Sequence, residues 1–175
     1  MKNNEIKKRL MYLSGEDFYL FCYSIFIILD SLGCSSGKKF RDYRKLAFLI
    51  DILNDEKLVY ILSNSQRKSL NPFDKECLFN SYSNGLMRRS EILKLIFTLE
   101  KKGFLILERG KTISEIDVSL NKAAIPESFF NKDIFSTEYE IAKKIKKSIT
   151  RLKSLKLGTM LERIYENNGV KTWAI

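Results

Sequence analysis

The passage SEILKLIFTLEKKGFLILERGKTISEIDVSL, residues 90 to 120, constrains the fold more than any other stretch. Ile92, Leu93, Leu95, Ile96, Phe97 and Leu99 cover a broad apolar arc at helical spacing, and Gly103 suits the turn that closes a helix. Residues 104 to 108 and 113 to 119 then alternate with a period of two around Arg109-Gly110-Lys111, as strands do. A ribbon of two strands cannot bury its own face and must lie on the helices before it. Helix, basic turn and ribbon in that order predict a mainly α, α+β fold: a winged-helix-like domain with a two-stranded β-wing and flanking helices. Such a wing can read DNA or hold another protein.

Around this core the chain divides into three segments, expected to pack as one unit. An N-terminal helical part covers 1–66, the winged-helix core with its wing covers 67–122, and a linker with basic helices covers 123–175. FYLFCYSIFIIL, residues 18 to 29, lies between Asp17 and Asp30 and is shorter than the about 18 to 20 apolar residues a membrane span needs. It reads as a helix over 17–32, buried nearly all round. Helices are expected over about 41–53, 55–63, 87–102 and 137–156, with a shorter one to about 167. Asn71-Pro72 opens a further helix as cap and first residue, and Asn84-Gly85 is expected to stop it. Residues 123–135, AAIPESFFNKDIF, read as irregular and packed on the body. One versus two winged helices stays open.

The chain contains no histidine, which removes the commonest general base and the usual zinc ligand. Its carboxylates are scattered, and Glu16-Asp17 and Asp55-Glu56 sit where helices start and favour the positive dipole end. Catalysis, a cofactor and a bound metal are therefore not expected. GCSSGKK, residues 33 to 39, departs from a phosphate-binding loop: three residues separate its glycines, and no strand precedes it. Cys22, Cys34 and Cys77 form no CxxC pair, and with no secretory signal they point to a reducing cytoplasm.

Lysine and arginine outnumber aspartate and glutamate 31 to 21, a net charge of +10, which favours acidic partners and nucleic acid above all. The outward strip of the helix over 87–102 is Ser90, Glu91, Lys94, Thr98 and Lys101, with Arg88 and Arg89 only at its start. Base reading calls for Arg, Asn or Gln, so this strip predicts little sequence discrimination. Phosphate contact is expected from Arg88, Arg89, Lys94, Lys101, Lys102, Arg109 and Lys111. The basic helix EIAKKIKKSITRLKSLK carries an apolar stripe of Ile141, Ile145, Ile149, Leu152 and Leu155. Lys143, Lys144, Lys146, Lys147, Arg151 and Lys153 flank it. Lys143, Lys144, Lys147 and Arg151 are its candidates for DNA contact, and the same face also suits an acidic protein. Phe97, Phe129, Phe130 and Trp173 are the candidates for binding a partner, though Trp173 could equally clip the tail to the body.

The order KLAFLIDILND (45–55), NGLMRRSEILKLIFTLEKKGFLIL (84–107), wing and C-terminal helix resembles the middle component of three-component ABC systems. That group is similar to the small subunit of Lamassu-type SMC-like defence complexes. The resemblance spans about residues 40 to 170 and is anchored on the helix-KKG-strand passage. It implies a non-catalytic adaptor that bridges an SMC-like ABC ATPase and an effector, often a nuclease; the residues themselves predict DNA engagement largely without regard to sequence, and no membrane partner. A winged-helix transcriptional regulator is the alternative.

Overall fold

A computed structural model describes residues 18–65, 69–131 and 133–173; the expected helix starts at Glu16-Asp17 lie outside them. The first helix, α1, runs over 18–31, and from Phe21 to Leu29 only Tyr23 is exposed. That matches its near-continuous apolar sequence. Gly33, Ser36 and Gly37 then take positive φ and turn the chain back. The loop so formed bridges to the hairpin, Ser35 beside Leu120 and Phe40 beside Val118. GCSSGKK thereby docks on the hairpin, where Lys39 forms an ion pair with Glu108.

Helix α2 (Arg44–Leu53) is buried at every position except Arg44 and Asp51. Asp55 caps α3 (Glu56–Asn64), its carboxylate accepting from the N–H groups of Lys57 and Leu58. Asn71 caps α4 (Pro72–Lys101), its Oδ1 accepting from Asp74 N–H at 2.8 Å, with Pro72 at the first helical position.

The expected stop at Asn84-Gly85 is overturned. Helix α4 continues unbroken for 30 residues, about 45 Å at 1.5 Å per residue. Gly85 instead lets α4 approach α2: a Cβ there would lie 2.2 Å from Phe48 Cδ1. Gly103, at φ +81°, closes the helix where the sequence placed its end.

Strands β1 (Leu105–Arg109) and β2 (Ile116–Leu120) pair antiparallel, Leu105 opposite Leu120 and Arg109 opposite Ile116. The second strand starts three residues later than expected, so Ile113 belongs to the turn. Leu105, Val118 and Leu120 face the core, which shows the ribbon lying on the helices as its size requires.

Two short 3₁₀ turns follow, and then α5 (Ser136–Ser148) and α6 (Leu157–Ile164). The basic helix was expected to reach about 156 but ends at Ser148. Ile149 is extended, and Arg151 takes a positive φ of 59°. Lys45 supplies a physical reason. Its Nζ is wholly buried and donates to the carbonyls of Leu152 at 2.7 Å and Lys153 at 3.3 Å. The chain therefore unwinds where carbonyls must turn toward an enclosed ammonium. Ile149 and Leu152 remain buried without the helix that was expected to carry them.

The buried apolar cluster draws on residues from Phe21 to Val170, so all three segments contribute to it. Helix α2 packs along α4, and α3 against α5. Phe48, Tyr82 and Tyr165 form an aromatic stack with centroids 5.3 to 6.1 Å apart. Trp173 closes that stack from the tail. It lies 5.8 Å from Tyr82, whose hydroxyl accepts from Trp173 N–H at 3.0 Å. No helix among the described residues is long and apolar enough to cross a membrane.

Candidate nucleic-acid interface

The outer surface of the second half of α4 carries Ser90, Glu91, Lys94, Phe97, Thr98 and Lys101, all exposed. Phe97 belongs to the apolar arc in sequence, yet it is 48% exposed and faces outward among these polar groups. Beyond the helix, Lys102, Arg109 and Lys111 are exposed in the turn and the hairpin. These cations are contributed by one helix end and the ribbon that packs on it.

Arg88 is engaged within the fold. Its guanidinium donates to Asp51 on α2 at 2.6 Å and lies over the Phe21 ring, 5.3 Å from its centroid. Its charge is spent inside the fold, tying α4 to α2 and α1. Arg89 is half-buried at the same end of the strip.

Helix α5 presents a second basic face. Tyr139, Ile141, Ala142 and Ile145 point inward, so residues at 140, 143, 144 and 147 stand opposite the core. Lys143, Lys144 and Lys147 are exposed there beside Glu140 and form no ion pair among the described residues. Lys146 lies to the side and donates to the Ser31 carbonyl at 3.3 Å. Arg151 does not share this face. It sits in the turn after α5, exposed and in the left-handed region.

Of the aromatic candidates, Phe129 is engaged within the chain. It packs 5.4 Å from Tyr23, Phe26 and Phe135, and closes the outer side of α1. Phe130 is half-buried against Phe129, with Lys122 Nζ 5.1 Å above its ring. Trp173 clips the tail to α4, one of its two expected uses, and leaves 57% of its surface exposed.

Among the described residues, clefts at three places have room for a ligand. One of about 330 Å³ is lined by Asp42, Arg44, Glu115, Lys156, Glu166 and Trp173. Two of its carboxylates are held by arginines: Asp42 accepts from Arg44 at 2.7 and 2.9 Å, and Glu115 accepts from Arg41 at 3.3 Å. The Arg41–Glu115 pair braces the loop against the hairpin, and the Asp42–Arg44 pair closes the turn into α2. A second cleft, of about 340 Å³, lies between α3 and α5 beside Tyr60 and Lys144. The third, about 500 Å³, opens where α3, α5 and α6 end and holds Lys147 and Arg163. Arg163 donates to the Thr150 carbonyl at 3.0 Å, just beyond the end of α5.

Burial pushes the thiols of Cys22 and Cys34 up to about 11, which makes both poor nucleophiles. Among the described residues no group of three His, Cys, Asp or Glu gathers as metal ligands do. Comparison with protein-family models, with curated proteins and with solved structures gave no match.

Sequence reasoning missed Ile113 at the hairpin tip and Lys45 at the centre. An apolar residue inside the polar turn RGKTIS was a readable signal for the first. The second had none, because Lys45 looks like any lysine on a helix.

Proposed function

We propose that the chain is a non-catalytic adaptor of an SMC-like ABC ATPase defence complex, bridging the ATPase and an effector nuclease while helping to engage DNA. The cationic surfaces carry the DNA part of this reading. Lys143, Lys144 and Lys147 on α5, with Lys94, Lys101, Lys102, Arg109 and Lys111 on α4 and the hairpin, are exposed. Phosphates attract such groups irrespective of sequence. The bridging part rests on the resemblance of residues 40 to 170 to the middle component of three-component ABC systems. The connectivity supports a winged-helix reading: helix, bridging segment, helices, then a long helix leading into a hairpin that the bridging segment joins.

Mechanically, the body would dock on ATPase and effector, and ATP- or DNA-driven movement of the ATPase would alter the effector contact. Purification of the native complex tests this. An SMC-like ATPase and a nuclease are expected to co-purify with the chain. Lys143→Glu, Lys144→Glu and Lys147→Glu together are expected to leave assembly intact and abolish most DNA engagement. The slope of log affinity against log salt should become shallower by about 2 to 3, one contact per lost lysine. If assembly collapses instead, α5 is a protein interface. A transcriptional regulator would instead purify without an ATPase and prefer one operator over random duplex by about 10³ or more.

A further inference from the structure

The tip of the hairpin carries an apolar side chain where its neighbours are cationic or polar. Ile113 is 88% exposed, more than any other large apolar side chain among the described residues. Arg109, Lys111, Thr112 and Ser114 around it are exposed as well. The carboxylate of this turn is withdrawn: Glu115 is 8% exposed and accepts from the Arg41 guanidinium and the Lys111 N–H, each at 3.3 Å. The base of the turn is braced. Gly110 N–H donates to the Glu115 carbonyl at 2.9 Å, and a Cβ on Gly110 would lie 2.5 Å from the Glu115 Cβ. What projects is therefore a stiff, β-branched side chain on a supported turn, with positive charge close behind it.

We propose that this tip enters the minor groove of duplex DNA, with Ile113 wedged at a base step and Arg109 and Lys111 on the adjoining phosphates. The inference rests on the DNA engagement proposed above and names one element, besides α5, that takes part in it. A groove about 6 Å wide admits a side chain though not a ribbon, and apolar side chains inserted there unstack and kink the duplex. Such a wedge needs no base-specific donor, in keeping with the outer strip of α4, which carries no Arg, Asn or Gln. A membrane suits the tip less well, because stable anchoring takes more buried hydrocarbon than one isoleucine provides.

The full chain is titrated onto duplexes carrying 2-aminopurine, whose fluorescence rises on unstacking, and in parallel onto phosphatidylserine vesicles. Wild type is expected to raise the fluorescence. Ile113→Ala, at an exposed position the fold does not need, is expected to abolish that rise and weaken binding roughly tenfold with the salt slope unchanged. Arg109→Gln with Lys111→Gln is expected to flatten the slope by about 2. Equal affinity and fluorescence for wild type and Ile113→Ala would overturn the wedge while leaving the DNA reading standing. No binding of the full chain to any duplex at low salt would overturn both. Ile113-dependent binding to vesicles, with duplex DNA indifferent to the substitution, would replace the groove by a membrane surface.

Discussion

Gly85→Ala is expected to destabilise the chain by about 1 to 3 kcal/mol, although alanine is the better helix former by about 1 kcal/mol. An exposed mid-helix glycine would give the opposite sign. Here the added methyl would sit 2.2 to 2.9 Å from three carbons of the Phe48 ring, and neither residue can retreat into solvent. Gly85→Leu is expected to leave no cooperative unfolding transition. Denaturant unfolding of Gly85→Ala, Phe48→Leu and the double variant forms the test. Removing the ring should relieve the clash, so the double variant should be more stable than the sum of the single losses by at least about 1 kcal/mol. A neutral or stabilising Gly85→Ala would contradict the close approach of α4 to α2.

The second large effect concerns pH. Burial pulls the Lys45 ammonium down from its ordinary 10.5 to about 7, with Asp42 and Asp117 opposing the shift and Arg41 adding to it. The Phe40 ring, 4.2 Å away, and the carbonyls of Leu152 and Lys153 are the groups that receive the charge. The unfolded chain holds this proton more tightly than the folded one. The cost of burying the charge is thus present in full below pH 7 and is relieved as pH rises toward 10.5. Stability should climb by up to about 1.4 kcal/mol per pH unit above pH 7. Cys22 and Cys34 act in the opposite sense. Their thiols ionise near 9 when unfolded and near 11 when folded, so each removes stability above pH 9. A maximum near pH 9 follows. Lys45→Met should flatten the profile between pH 7 and 8.5 and keep the decline above 9. Denaturation midpoints across that range measure it, and a wild-type profile that is already flat there would refute the buried charge.

Where periodicity and punctuation agree, the elements were legible. The apolar run of α1, the Asn71-Pro72 opening of α4, its Gly103 ending and the ribbon after it all declare themselves locally. The errors lie where a distant residue decides. Asn84-Gly85 carries the same signal as a helix stop, and only Phe48 on another helix reveals it as a packing site. The apolar stripe of the basic helix runs on through Ile149 and Leu152, so its pattern extends past the point where Lys45 draws the backbone out of the helix. The candidate cations were separable only in space. Arg88 lies one residue from Arg89 in sequence, yet it is bound to Asp51, while Lys94 and Lys101 remain in solvent.

The docking of the tail has a practical corollary. Trp173 is the chain's one tryptophan, and it stacks on Tyr82 at a tilt of 27°. Energy absorbed by the tyrosine cluster therefore drains into a single indole seated on the outside of α4. Any macromolecule that lifts the tail, or covers it, alters that transfer, so the polypeptide carries its own optical probe of what binds there.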